Sequence, residues 1–217
     1  MTSNPPRDQN SSRAEDWQPT LRDLILWGML VLVVLVLVGA TLWRSMDRIA
    51  VEPLPILGEV PEFALTNRDG RTIQRSSLAG RPWVADFIFT RCVAVCPRMT
   101  QQMKQVQDLL AGQSVAFASF SVDPVHDTPE VLEEYAQRYE AADSWLFLTG
   151  GREEIFTLCR DGFKLAVGDA VEPDAVDPIF HSNRFVLVDP RGMIRGYYDA
   201  FDAAEIERLV RDARRLL

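Results

Sequence analysis

The feature that most constrains this 217-residue chain is a run of twenty residues without a charge, from Leu24 to Trp43. Leucine and valine dominate the run, and Trp27 and Trp43 lie towards its two ends. An α-helix rises about 1.5 Å per residue, so a helix of this length matches the roughly 30 Å hydrocarbon core of a bilayer. We therefore expect residues 24–43 to form a single transmembrane anchor.

Two other interpretations of this run are a cleaved signal peptide and a buried helix of a soluble domain. The apolar region of a signal peptide usually covers about 7 to 15 residues and follows a short charged leader, whereas 23 residues precede this run. A soluble helix of this length is seldom apolar on every face. Residues 1–23 are polar and charged, so we predict that they form a disordered tail. Residues 44–56 contain Pro53 and Pro55, and we predict that they form a tether.

The remaining residues, 57–217, predict one globular domain, because a single hydrophobic core is normally complete within about 100 to 200 residues. Removing the three arginines and four acids of residues 1–43 from the 23 basic and 31 acidic residues leaves a net charge of −7. Affinity for nucleic acid comes from neutralised phosphates. We therefore expect no nucleic-acid partner.

Strand-like and helix-like patterns alternate beyond Gly58, which indicates an α/β fold with a mixed sheet covered by helices on both faces. Strands are predicted at 63–66, 71–73, 83–89, 115–122, 145–148, 184–188 and 193–198, and helices at 97–110, from the capping segment 127–129 to about 141, at 152–163 and at 203–217.

Two of the three cysteines, Cys92 and Cys96, lie where a predicted strand meets a predicted helix that has Pro97 at its first position. We expect the helix N-terminus to favour a thiolate at Cys96. Two thiolates four residues apart can close a disulfide or hold a soft metal, or both can be small buried apolar residues. Cys159 falls on an apolar helix stripe and is interpreted as a core residue.

A third ligand is suggested by His181, which stands just before the predicted strand 184–188. If that strand neighbours strand 83–89, the imidazole and both sulfurs lie near one edge of the sheet. Such a donor set favours copper, since structural zinc normally has four strong ligands. The alternative is that His181 is an ordinary loop histidine, and His126, at a helix start, is interpreted as local scaffolding.

Two acids also follow the predicted strand 115–122. Asp123 and Asp127 are interpreted either as groups that support the metal site or as turn and cap residues, and capping is favoured for Asp127.

The chain resembles the Sco/SenC copper-binding proteins of cytochrome c oxidase assembly. The resemblance lies in Phe89 to Pro97, Ser121 to Pro124 with Asp127 to Glu130, His181-Ser182 and Val188 to Gly192, in the family's order, together with the single anchor. It covers roughly residues 57–217.

The resemblance implies a thioredoxin-like fold in which Cys92, Cys96 and His181 bind one copper ion, as Cu(I) or Cu(II). It further implies delivery of that copper to the copper-centre subunit of cytochrome c oxidase, with other copper chaperones as further partners. The alternative is a thiol-disulfide oxidoreductase in which Cys92 and Cys96 cycle between dithiol and disulfide, while a peroxidase is disfavoured because nothing singles out one cysteine. The chain is expected in an inner membrane, with its C-terminal domain in the periplasm or the mitochondrial intermembrane space.

Two departures from the family pattern surround the expected site. Arg91 stands where many relatives have histidine or another uncharged residue, and we expect this cation to lower the pKa of the neighbouring thiols and raise the reduction potential of bound copper. The segment 168–179 is unusually acidic, with Asp169, Glu172, Asp174 and Asp177. This acidity bears on the choice of partner.

Overall fold

The computed structural model describes residues 20–47, 53–93, 95–169 and 179–217, and it separates into one compact unit that ends at Pro53 and a second unit, Leu54–Leu217. The first unit contains helix α1, Leu21–Asp47. Within it, Leu24–Thr41 has a mean hydropathy of 2.8 and is 0% buried, so by length and composition it is able to cross a membrane. The predicted tail and part of the predicted tether lie outside the described residues.

The second unit alternates strands and helices as the sequence predicts. Its strands are β1 (Gly58–Glu59), β2 (Ala64–Asn67), β3 (Thr72–Gln74), β4 (Trp83–Ile88), β5 (Ala116–Ser121), β6 (Trp145–Thr149), β7 (Val167–Asp169), β8 (Ile179–His181), β9 (Arg184–Val188) and β10 (Met193–Asp199), and its helices are α2 (Val95–Leu109), α3 (Pro129–Arg138), α4 (Arg152–Thr157) and α5 (Ala203–Arg214). A short 3-10 helix, Arg75–Leu78, follows β3.

Eight strands form one mixed sheet in the order β1-β10-β9-β4-β5-β6-β2-β3, and β7 and β8 form a separate pair. The central strands β4, β5 and β6 are parallel, whereas β9 runs antiparallel to β4. Every residue of β4 and β5 is buried. This burial agrees with the near-continuous apolar sequence of both strands, since strands covered on both faces lose the alternation of a half-exposed sheet.

Aromatic side chains fill one side of the central sheet. The rings of Phe87 and Phe120 stack with centroids 5.1 Å apart, and Phe163 packs edge-on against Phe87 at 5.2 Å. On the other side, Thr100 of α2 and Tyr135 of α3 share a hydrogen bond of 2.8 Å. Helices α2 and α3 therefore cover this second face of the sheet, which includes the region beneath the start of α2.

Besides the unpredicted two-residue strand β1, the structure differs from the sequence prediction in three elements. Helix α2 begins at Val95, two residues before Pro97, and the predicted helix 152–163 is divided into α4 and one turn of π-helix, Leu158–Gly162. At Gly162 a Cβ atom would lie only 2.7 Å from Pro61 Cδ, so a close approach of two backbone segments requires this glycine. The pair β7–β8 is the third difference, because the sequence predicted no strand there.

Candidate metal centre

The topology brings three separated sequence segments to one edge of the sheet. Strand β4 runs directly into the loop that holds Cys92, and α2 begins immediately after that loop. Strand β9 pairs with β4 in antiparallel register, Trp83 opposite Val188 and Ala85 opposite Val186, so the start of β9 lies at the same edge as the end of β4. The prediction that these two strands are neighbours is confirmed. Their pairing brings the segment that precedes β9 close to the cysteines.

Both cysteines of the pair are buried. Cys96 is the second residue of α2 and is 0% exposed, while Cys92 is 5% exposed. The backbone N–H of Cys96 donates to Cys92 Sγ at 3.3 Å. The first turn of α2 therefore holds the two side chains against each other.

His181 reaches this pair from β8. Its Nε2 lies 3.0 Å from Cys96 Sγ, and its Nδ1 lies 3.0 Å from the carbonyl oxygen of Ser182. A carbonyl only accepts hydrogen bonds, so Nδ1 carries the proton and the Nε2 lone pair faces the sulfur. The ring also packs edge-on against Phe89, with centroids 5.7 Å apart. This is the tautomer that can bind a metal through Nε2.

Cys96 Sγ and His181 Nε2 are at hydrogen-bonding distance, which is shorter than the distance between two ligands of one metal ion. Among the residues that the structure describes, no group of three or more His, Cys, Asp and Glu side chains is arranged to hold a metal ion as it stands. Metal bonds of about 2.3 Å to sulfur and 2.0 Å to nitrogen, at a tetrahedral angle, separate the two donors by about 3.5 Å. The Cys96–His181 contact has to open by only about half an ångström from its 3.0 Å for both atoms to bind one ion.

A family model described as SCO1/SenC matches residues 57–217. The chain belongs to the SCO1/SenC family. It is 35% identical over 164 residues to the SCO1 protein homolog of Bacillus subtilis (strain 168), a match that covers 74% of this chain and 83% of the relative.

Two solved structures of Sco proteins share the fold of this SCO1/SenC chain. The structure of BsSco, described as a member of the Sco family of cytochrome c oxidase assembly proteins in which a disulfide switch was identified, has a TM-score of 0.66 and 33% identity and covers 75% of this chain and 96% of its own. Copper-bound ScoI of Bradyrhizobium japonicum has a TM-score of 0.64 at 23% identity, over 74% of this chain and 100% of its own. The fold is thioredoxin-like, as the resemblance implied.

The acidity of Cys96 in this SCO1/SenC protein corrects a prediction made from the sequence. A helix N-terminus was expected to lower the pKa of its thiol. A hydrogen bond with Cys92 and burial instead raise the pKa of Cys96 above the usual range, against a smaller opposing contribution from the backbone of Phe89. The Cys96 thiol therefore keeps its proton at neutral pH until a metal displaces it.

The Arg91 guanidinium pairs with Asp123, with Nη2 at 2.5 Å and Nε at 2.9 Å from Oδ2. The pKa of Cys96 is shifted by Cys92, by burial and by Phe89 rather than by Arg91, so the expected effect of Arg91 is not found at this thiol. The expected effect of Arg91 on the potential of bound copper stays a prediction. The Arg91 side chain is 48% exposed and that of Asp123 only 5%. The charge of Arg91 thus neutralises a buried carboxylate and fixes the cysteine loop to the loop after β5.

Asp127 is not the helix cap that the sequence favoured, because Thr128 caps α3 and accepts from the N–H of Val131. The Asp127 carboxylate is 0% exposed and accepts from the Thr90 N–H at 3.1 Å, the Thr90 hydroxyl at 2.6 Å and the Ser121 hydroxyl at 2.5 Å. Burial, opposed by these hydrogen bonds, raises the pKa of Asp127. Asp127 therefore ties the residues before Cys92 to strand β5.

The remaining candidate residues lie apart from the site. His126 is exposed in the turn before α3, as expected for scaffolding. Cys159 is fully buried in the core, and burial raises the pKa of its thiol to about 12, in agreement with its predicted role as a core residue. Of the acidic segment, Asp169 is described and pairs with Arg152, whereas Glu172, Asp174 and Asp177 lie outside the described residues.

Proposed function

We propose that this protein binds one copper ion through the sulfurs of Cys92 and Cys96 and Nε2 of His181, and delivers it as a chaperone. The observation that carries the proposal is the 3.0 Å contact between Cys96 Sγ and His181 Nε2, with Cys92 Sγ against the Cys96 backbone. The two cysteines come from one segment of the chain and His181 from a distant one, and both segments lie at the same edge of the sheet. Membership of a family that includes cytochrome c oxidase assembly proteins supports the same function.

The chemistry of the three donors favours copper over zinc. Cu(I) accepts two or three soft ligands, and Cu(II) accepts the same set with an added oxygen ligand, whereas structural zinc is almost always held by four. Copper bound to ScoI, a protein of the same fold, agrees with this choice. Copper is here the cargo, and the two thiols give up their protons when it binds.

The way in which the ligands are held suggests an order of release. His181 belongs to β8, which pairs with the three-residue strand β7 in a separate two-stranded sheet, whereas the cysteines follow the central strand β4. A short two-stranded pair opens at a lower free energy than a core strand. The thiolates of an acceptor therefore displace His181 first and the two sulfurs afterwards.

The alternative of a thiol-disulfide oxidoreductase is less well supported. Such an enzyme needs an accessible thiolate as its nucleophile. Cys96 is 0% exposed and its pKa is raised, and Cys92 is 5% exposed. Burial of both sulfurs protects a bound metal from water, but it slows attack on a disulfide.

We also infer how the chain is divided into segments and in which compartment it acts. Residues 24–43 anchor the chain in an inner membrane, residues 1–23 form a tail, and the tether 44–56 holds domain 57–217 in the periplasm or the mitochondrial intermembrane space. The recipient is the copper-centre subunit of cytochrome c oxidase, and other copper chaperones supply the ion. Tethering to the same membrane raises the effective concentration of the two proteins for each other.

The test is copper transfer from the full chain in detergent to the isolated copper-centre domain of the oxidase subunit. We expect the wild type to bind one copper and to transfer it. The variants Cys92→Ser and Cys96→Ser are expected to lose the copper and its sulfur-to-copper absorption. The matched control Cys159→Ser is expected to retain both, because its thiol is buried elsewhere in the core. Full copper binding by Cys92→Ser would refute the proposed site.

A further inference from the structure

One buried acid in the site region, Asp86, makes no hydrogen bond to any of the residues that the structure describes. Asp86, in the middle of β4, is 0% exposed, and neither of its carboxyl oxygens has a partner among the residues that the structure describes. Its carboxyl is one of the few buried side-chain groups without a hydrogen bond in that part of the chain. Burying a polar group without a hydrogen bond is costly, and burying a carboxylate costs more still.

Asp86 lies on the strand that leads to the metal-binding edge of the sheet. It precedes Cys92 by six positions on the strand that leads into the cysteine loop, and lies opposite Ser119 in the β4–β5 ladder. Asp86 interacts electrostatically with three titratable groups. These are Cys96 of α2, Tyr135 of α3 and His181 of β8. The Ser119 hydroxyl already accepts a 2.9 Å bond from the Trp145 indole, so its own hydrogen is able to point at Asp86.

The protonation of Asp86 is balanced near neutrality. Burial raises the pKa of this carboxyl to about 7, because the Ser119 hydroxyl and the nearby His181 ring lower it less than burial raises it. Within the described ranges, no lysine or arginine side chain bonds to the carboxylate to hold it ionised. A change of one unit in a nearby charge is therefore sufficient to change its protonation state.

We propose that Asp86 couples the oxidation state of the bound copper to one proton, keeping its proton beside Cu(I) and releasing it beside Cu(II). This inference rests on the proposed copper site. Two thiolates with Cu(I) carry a net charge of −1, which disfavours a second anion beneath them. With Cu(II) the same set is neutral, and the carboxylate is tolerated.

When an outer-sphere oxidant of the ferricyanide class takes one electron from the copper site, the O–H bond of Asp86 breaks and the proton goes to solvent. When a reductant of the ferrocyanide class gives one electron back, the Asp86 carboxylate takes a proton from solvent and the O–H bond forms again. Between the pKa of Asp86 beside Cu(II) and its higher pKa beside Cu(I), the ratio of Cu(II) to Cu(I) at a fixed potential rises tenfold per pH unit, so the potential falls by about 59 mV per unit.

The experiment is a mediated potential titration of the copper-loaded full chain in detergent at several pH values around 7. We expect the wild type to show the falling potential and Asp86→Asn, which keeps the shape but cannot ionise, to show a flat one. The matched control is Asp212→Asn, since Asp212 is a buried acid of helix α5 and accepts a hydrogen bond from the Tyr198 hydroxyl. This control is expected to keep the wild-type slope.

A slope that persists in Asp86→Asn would overturn the inference and assign the proton to His181 or a thiol. If that variant does not fold, redox-difference infrared spectroscopy of the wild type decides. A carboxylic acid C=O band is expected to disappear on oxidation, and its failure to change contradicts the proposal. Should the wild type not bind copper through these ligands, the proposed function fails separately. The copper-free carboxyl must still titrate near pH 7, and a carboxyl that stays ionised down to pH 4 would overturn the role of Asp86.

Discussion

Cys96 Sγ and His181 Nε2 lie 3.0 Å apart, although 85 positions separate them in the chain. The contact depends on the antiparallel pairing of β9 with β4, because that pairing returns the chain to the edge where α2 begins. The Ser182 carbonyl orients the ring so that Nε2 faces the sulfur. Two elements of secondary structure and one backbone hydrogen bond thus determine the geometry of the donor set.

Replacement of the imidazole tests this relationship. We expect His181→Ala to lower copper affinity at least about 100-fold, because changes to groups that only orient a ligand already cost 10- to 100-fold. The matched control His126→Ala removes an exposed histidine and is expected to bind copper as the wild type does. Competition titration of the full chain in detergent against a chelator of known affinity measures both.

The Asp127 carboxylate is expected to stabilise the cysteine loop. Asp127→Asn removes one acceptor from buried donors on Thr90 and Ser121, so we expect a loss of about 1–3 kcal/mol in the free energy of unfolding. Denaturant unfolding of the copper-free chain is the measurement. The exposed Asp143→Asn is the control, with an expected change below about 0.5 kcal/mol. Equal stability of the two variants would contradict the role of the network.

The Arg91–Asp123 pair is expected to act on stability rather than on the thiols. Because Arg91 is half exposed, solvent screening limits the expected loss in Arg91→Gln to about 1 kcal/mol. The pH dependence of Cys96 alkylation should remain unchanged, since the hydrogen bond with Cys92 and burial, not the guanidinium, raise the pKa of that thiol. A shift of the alkylation profile in this variant would restore the sequence-based expectation.

Acid stability is expected to depend on Asp189, in the turn between β9 and β10. Burial alone would raise the pKa of Asp189, but hydrogen bonds from the backbone of Met193 and Arg191 and from the Arg195 side chain lower it overall. The folded pKa therefore lies below the unfolded value of about 3.9, and the stabilisation is complete above that value and is lost as pH falls through the folded pKa.

The corresponding measurement is the free energy of unfolding at several acidic pH values. In Asp189→Asn we expect the decline below about pH 4 to be weaker than in the wild type. The exposed Asp143→Asn should decline as the wild type does. Identical acid profiles for the wild type and Asp189→Asn would show that Asp189 does not carry this dependence.

The sequence predicted the parts of the fold that have strong local signals. Strand β4 reads as a continuous apolar run and α3 begins with the Thr128-Pro129 start signal, and both are where they were expected. The pairing of β9 with β4, on which the position of His181 depends, was a conditional prediction and is confirmed. The order of the motifs along the chain was therefore sufficient to predict that Cys96 and His181 lie close together.

The parts that were missed depend on contacts between distant segments. The strand pair β7–β8 has only three residues on each side and lacks a clear period. The role of Asp127 requires Thr90, which is 37 positions away, and no local pattern distinguishes this role from capping. The raised pKa of Cys96 follows from the hydrogen bond with Cys92 and from burial, and neither can be read from the local sequence. For Asp86 a signal was present, since it is a single acid within an apolar strand.

X-ray absorption at the copper edge of the Cu(I)-loaded full chain tests the central claim most directly. The three-donor site predicts two sulfur ligands and one imidazole nitrogen per copper, with the imidazole scattering absent in His181→Ala and retained in His126→Ala. A wild-type spectrum with sulfur ligands alone, identical to that of His181→Ala, would contradict it.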